Sequence, residues 1–520
     1  MTHTMKRCAR LLGLLIVVAP TVTCRDAYDS LFLDPDRSTT ARIEYLFTQG
    51  LLDADFPIHY GEWFWQVYHN VAAWAQVSGT QNDVDMMRPL SDQWQNNWTD
   101  YYARAAMDVR EIRKIYDALP GTQQASYEAY IHLGKVVNAF TTARTTDLWG
   151  DMPYSEAFTA RQTAGQNLFP KFDTQESVYD AILQDLKDAS DALRNLTVVH
   201  SGLAAQDLLL KGDITGWRRF ANSLRLRLAM RLSEVAPVKA QAIVQEILAD
   251  PAAYPLVEAN GQNVAWYMDP SWVYDHNSLG NRCRAARELP QQTWAPKVML
   301  DMMVSANDPR LAIVFDTLFD SDSATPRYIG LPSSPDDQPT TTIDSTRFSR
   351  LNSLMFRRNN RFPGYVMTAA EVAFLESEAR MRGWATGDPK AAYDEALRLS
   401  VEMYYATYNA NDSVPASAKL TAPADLTPFI NSPKVVYNGT LERIATQKWI
   451  HLGIVQPYEA WAELRRTDYP ALPPDRLGGR LLERTVRIVY PSTEITNNRQ
   501  SYEAVRAKDT PTTRVWWDVR

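Results

Sequence analysis

Along most of this chain, apolar and aromatic residues recur every three or four positions. That spacing lines one face of an α-helix. Trp63, Val67, Val71 and Trp74 form such a stripe within residues 39–78. Tyr101, Tyr102, Ala105, Val109 and Ile112 form another in a helix starting near residue 98, and residues 124–144 continue the pattern. Tyr179, Ile182, Leu183, Leu186 and Leu193 share a face over 177–196, as do Trp217, Phe220, Ala221, Leu224 and Leu228 over 213–233. The period returns at 293–305, 365–383 and 388–408. The chain therefore reads as mainly α, with strands confined to short hairpins. Residues 365–383 and 388–408 are spaced as antiparallel partners, like the helix pairs of tetratricopeptide repeats. No clean period of about 34 residues runs through the chain, so the pairs are irregular.

Two polar stretches break the helical pattern, and both carry aromatics. Residues 79–97 read as a loop holding Arg88, Asp92 and Trp94. Residues 261–291 interleave Trp266, Trp272 and Tyr274 with hydrogen-bonding groups such as Asn281. Rings mixed with carboxylates, amides and guanidinium suit a sugar. The flat faces meet C–H groups, and the polar groups meet hydroxyls that would otherwise be buried without partners. These seven residues are the candidate ligand-binding set; packing within the loops is the other use for each tryptophan. Trp217 sits on a helical stripe and reads as core, and Trp449 and Trp461 also read as core. In the 213–233 helix, five arginines flank the apolar face and are expected to be solvated or paired. Asn222 and Ser223 are poor choices for mid-helix, so they are expected to make tertiary hydrogen bonds.

The N-terminus has the layout of an export signal. Lys6, Arg7 and Arg10 precede an apolar run at 11–19, too short for the ~20 residues that span a bilayer. Small polar residues then lead to Cys24. Residues 1–23 read as a leader and 24–520 as one helical domain. A cysteine just after the apolar run suggests lipidation at Cys24, although Thr21 stands where a lipobox usually has leucine. Cys8 lies in the leader, which leaves Cys283 alone and no internal disulfide. The formal net charge is −7, and losing the leader makes the chain more acidic. Such a chain is a poor binder of phosphate backbones, so no nucleic-acid partner is expected.

Signals for catalysis are missing. The seven histidines are scattered and none forms the i, i+4 pair of a zinc helix. Asp320 and Asp322 lack the glycine and closing glutamate of an EF-hand. There is no G-x-S-x-G elbow, phosphate-binding loop or dinucleotide fingerprint. No metal, no cofactor and no enzymatic activity are expected.

One segment is worded distinctively. TTDLWGDMPYSEAF, residues 145–158, resembles the D-x-(Y/W)-G-D-x-P-Y signature of the SusD/RagB-like family. GDITGWRRFANSLRLRLAMR resembles that family's W-x-K-F-A-N-S-L helix. IATQKWIHLGIVQPYEAWAELRRTDYP resembles its Q-K-W-I and E-A-W-x-x-x-R-R-T-x-Y-P block. Shorter matches are DPRL at 308–311, YIGLP at 328–332, residues 487–505 and the terminal WWD. The branch most resembled is described as starch-binding, associating with the outer membrane. The resemblance implies a surface lipoprotein of the outer membrane that captures a nutrient, mostly a glycan, and delivers it as a lid to a TonB-dependent, SusC-like transporter. It also implies a buried polar network of Gln447, Lys448, Glu459, Arg465 and Arg466. The competing reading is a helical-repeat scaffold that binds protein or peptide ligands.

Overall fold

The computed structural model of the chain describes residues 41–54, 66–67, 70–79, 91–160, 165–267, 294–318, 327–339, 347–356 and 358–520. Cys24 lies outside them. Helices dominate. In chain order the longer ones are α1 (Ile43–Asp53), α2 (Ser91–Asp100), α3 (Ala106–Ala118), α4 (Gly121–Trp149), α5 (Gln175–Arg194), α6 (Ile214–Arg231), α7 (Pro237–Ala249), α8 (Lys297–Ser305), α9 (Ala369–Met381), α10 (Pro389–Ala410), α11 (Leu441–Leu452) and α12 (Pro457–Thr467). A π-helical turn, Tyr101–Ala105, joins α2 to α3. Consecutive helices pack as pairs: α4 with α5, α6 with α7, α9 with α10, and α11 with α12. These are the expected irregular helix pairs.

Local chemistry sets the helix ends. Thr174, Thr368 and Thr440 each accept a backbone N–H of the first turn of α5, α9 and α11. Asp388 does the same for α10, where Pro389 occupies the first helical position and has no N–H to satisfy. The cap at Thr368 also explains a departure from the expected helix 365–383. Residues Gly364–Met367 form a strand, β4, paired antiparallel with β3 (Val264–Trp266). Tyr365 and Val366 suit a pleated surface, and the helix starts only after the cap. Two further antiparallel pairs are small: β1 (Met152–Pro153) with β2 (Phe172–Asp173), and the hairpin of β5 (Arg476–Leu477) with β6 (Arg480–Leu481).

The distinctive segment at 145–158 is a structural joint. Gly150 ends α4 with φ of 82°, a left-handed value that suits glycine. Asp147 accepts the Tyr179 hydroxyl at 2.5 Å and the Trp517 indole N–H at 2.7 Å, and pairs with Arg231. Asp151 accepts the backbone N–H of Gln175 at 2.9 Å and the Lys508 ammonium at 2.7 Å. Trp149 donates to the Val489 carbonyl at 3.1 Å. The segment thus ties α4 to α5, α6 and the C-terminal tail.

Arg225, Arg227 and Arg231 of α6 are buried as well as paired. Arg227 makes two 2.6 Å bonds to Glu371, and Arg231 reaches both Asp147 and Glu459. Asn222 donates to the Pro255 carbonyl at 3.1 Å, and Ser223 accepts from Val257 at 3.0 Å. Arg466 bridges Glu378 and Glu463, and Lys448 lies 3.2 Å from Glu463. Gln447 accepts from Arg310 at 3.1 Å. These charges lie inside the packed helices, which is costly unless every one is matched. Their guanidiniums hold Glu459 at about 2 and Glu463 lower still, against the burial that pushes both up.

Candidate functional site

The two stretches singled out as ligand loops are joined at their roots. Gly79, where the first begins, pairs antiparallel with Trp294, just beyond the end of the second. The Gly79 N–H donates to the Trp294 carbonyl at 2.8 Å and the Trp294 N–H returns to Gly79 at 2.7 Å. Trp294 also pairs with Arg350, and Pro296 pairs with Leu331. Arg350 lies over the Trp294 ring at 4.5 Å. A side chain at position 79 would place its Cβ 2.8 Å from the Trp294 carbonyl oxygen, so the approach needs glycine. Segments far apart in sequence are thereby fixed side by side, and the helix pairs hold the frame. Sequence reasoning missed this bridge; no periodicity announces a single pair of residues.

Three of the seven candidate residues, Asp92, Trp94 and Trp266, lie within the described residues. Arg88, Trp272, Tyr274 and Asn281 lie outside the described residues. Asp92 stands in the first turn of α2. This corrects the expected loop at 79–97, whose second part is helical from Ser91.

Trp94, on the same helix, is fully buried. Its indole donates to Asn70 at 3.2 Å. Its ring stacks on Trp74 at 6.3 Å and meets Trp149 edge-on at 6.3 Å. Both faces are used by the protein, so Trp94 is a core residue and has none to offer a sugar. Trp266 is likewise buried, in β3 against β4, at 1% exposure. The next ring, Tyr267, is 60% exposed at the root of the second loop. The two tryptophans were misplaced because indole serves core and ligand equally well, and only packing distinguishes the uses.

The structure also shows a cleft that sequence reasoning had not singled out. Its volume is about 550 Å³, between α12, the β5–β6 hairpin and the C-terminal segment. Trp74, Trp461 and Leu481 supply apolar walls, and Gln76, Asp475 and Asp518 supply polar ones. Arg465 lies over Trp461 at 3.6 Å and over Trp517 at 4.6 Å. Burial pushes Asp518 up to about 6, outweighing Arg465 and Arg514, and pushes Asp475 up as well. The residues on α12 had read as core and network; the cavity beside them depends on how distant segments pack.

Among the described residues no group of three or more His, Cys, Asp or Glu is placed to hold a metal ion. No described helix is long and apolar enough to cross a membrane. His451 is buried between Thr368 and Ser400 at 2.8 and 2.9 Å. Burial holds it neutral, at about 3, in a structural role.

Residues 64–491 match the model of a family described as "SusD-like: starch-binding associating with outer membrane". The chain belongs to the SusD-like family. Solved structures share its fold. A chitin-binding SusD homolog from Flavobacterium johnsoniae is 23% identical, with a TM-score of 0.71 over 91% of this chain and 99% of that one. A SusD-like protein from Bacteroides thetaiotaomicron is 21% identical, with a TM-score of 0.71 over 92% and 99%. A SusD homolog from Bacteroides vulgatus is 22% identical, with a TM-score of 0.70 over 91% and 97%. None of the curated proteins matches the chain.

Proposed function

We propose that this SusD-like protein captures a glycan at the cell surface and delivers it, as a lid, to a TonB-dependent, SusC-like transporter of the outer membrane. The observation that carries the binding part is the bridge between Gly79 and Trp294, which ties the start of the first candidate loop to the residue just beyond the second. In sequence, Arg88 and Asp92 follow Gly79, and Trp272, Tyr274 and Asn281 precede Trp294. Tyr267, exposed where the second loop begins, extends the set. The described starch-binding family and the chitin-binding relative point to glycan over peptide. Calorimetric titration with starch- and chitin-derived oligosaccharides tests this. Trp272→Ala or Tyr267→Ala should weaken binding about tenfold, the ~1.4 kcal/mol scale of one aromatic contact. Unchanged affinity in both variants would place the site elsewhere.

The protein carries out no chemistry on its ligand in this reading, so turnover of the bound glycan would contradict it. Anchoring is assigned to lipid on Cys24. Cys24→Ala should release the protein from Gram-negative outer membranes, and full retention of the variant would show a different anchor. The transporter should co-purify from gently solubilised membranes through an interface of roughly 2,000 Å² or more, typical of stable complexes.

A further inference from the structure

We propose that the cleft between α12, the β5–β6 hairpin and the C-terminal segment is a second saccharide site, separate from the aromatic loops and sized for one or two pyranose rings. This rests on the glycan-binding reading above. The cleft's volume of about 550 Å³ falls in the usual range for small-ligand pockets.

The lining points to the ligand's chemistry. Four of the residues around the cleft each carry a buried polar atom with no hydrogen-bond partner: Gln76 Oε1, Asp475 Oδ1, Asp518 Oδ2 and Arg465 Nε. Three are acceptors and one is a donor. The other ends of these side chains are already engaged, that of Asp475 with Ser333. Gln76 Nε2 donates to the Pro473 carbonyl at 3.1 Å, Arg514 pairs with Asp518 Oδ1, and Arg465 Nη1 donates to the carbonyls of Asp147 at 2.8 Å and Val486 at 2.9 Å. The orientations are therefore set before any ligand arrives. An anionic ligand would meet the carboxylates of Asp468, Asp475 and Asp518, and a cation would meet Arg465, Arg484 and Arg514. A neutral ligand carrying several hydroxyls suits both sets. Each hydroxyl can donate to a carboxylate and accept from a guanidinium N–H among the lining residues. Trp74 and Leu481 offer apolar surface to the C–H groups of a ring.

The hairpin that walls the cleft is tied down from outside. Asp336 accepts the backbone N–H groups of Gly478 and Gly479 at its tip, at 2.7 and 2.8 Å. Ser334 exchanges hydrogen bonds with the Arg476 backbone at 3.1 and 3.4 Å. Leu481 is 60% exposed on this hairpin. Asp336 is thus a positioning residue that holds one wall at a fixed distance from Trp74 and Trp461.

The test is calorimetric stoichiometry with the full mature chain, using maltose and N,N′-diacetylchitobiose as probes. Wild type is compared with Asp475→Ala, Asp336→Ala and Trp272→Ala, and thermal melting checks that each variant is folded. Wild type should take two equivalents of at least one probe. Asp475→Ala should take one, and Asp336→Ala should bind at the affected site at least tenfold more weakly. A single wild-type equivalent lost in Asp475→Ala but kept in Trp272→Ala would also support the cleft. A single equivalent lost in Trp272→Ala and untouched by Asp475→Ala would overturn the cleft while the loop site stood. Absence of binding by either probe would remove both.

Discussion

Trp94 separates a core role from a ligand role, and the expected effect can be worked from its surroundings. The ring is fully buried between Trp74 and Trp149, and its N–H bonds Asn70. Trp94→Ala removes an entire indole from a packed interior, a change that costs ~3–5 kcal/mol. For a chain of 520 residues, the entropy of unfolding near 60 °C is roughly 1 kcal/mol per kelvin, from ~2.1 cal/mol/K per residue. The melting temperature should fall by about 3–5 °C. Trp94→Phe keeps much of the volume but removes the donor to Asn70, so ~1–2 kcal/mol and a shift of about 1–2 °C are expected. Scanning calorimetry on both variants, alongside Tyr267→Ala, is the assay. Tyr267 is mostly exposed, and its loss should move stability by no more than ~0.5 kcal/mol. The refuting result is a Trp94→Ala protein that melts within about 1 °C of wild type yet loses glycan affinity. That would show the ring is available to ligand and the packing described here is wrong.

Other consequences follow from the buried charges and the loop bridge. Asp147→Ala removes the acceptor of Tyr179 and Trp517 and one partner of Arg231, so it should destabilise by ~3–5 kcal/mol in denaturant titration. Glu459, Glu463 and Glu378 are held below their ordinary range by Arg227, Arg231 and Arg466. Their stabilisation should be complete above about pH 4.5 and be lost as pH falls towards 2, visible as a falling melting temperature over that window. Asp108 behaves oppositely: burial and the neighbouring Asp53 raise it to about 7. Ionising it costs stability as pH rises from about 4 to 7, so Asp108→Asn should melt higher than wild type at pH 8 and lose that advantage below pH 4. Gly79→Val should push the Trp294 segment away and weaken glycan binding, while helix content by circular dichroism stays unchanged.

Much of the fold could be read from the chain because helices are local. A stripe such as Trp217, Phe220, Leu224 and Leu228 sets both the period and the buried face, and threonine caps mark several starts within two or three residues of their sequence. The family blocks were legible for a related reason. TTDLWGDMPY and the arginines of α6 and α12 join helices to one another through paired buried charges, so their identities are tightly constrained. The sites resisted. Tryptophan's affinity for an interior and for a sugar is the same property, so Trp94 and Trp266 could not be sorted until burial was known. The bridge of Gly79 to Trp294 and the cleft uniting Gln76, Asp475 and Asp518 join positions hundreds of residues apart. Periodicity along a chain specifies which face each helix buries. Only the packing of those faces decides which distant residues meet and which polar atoms are left facing a cavity.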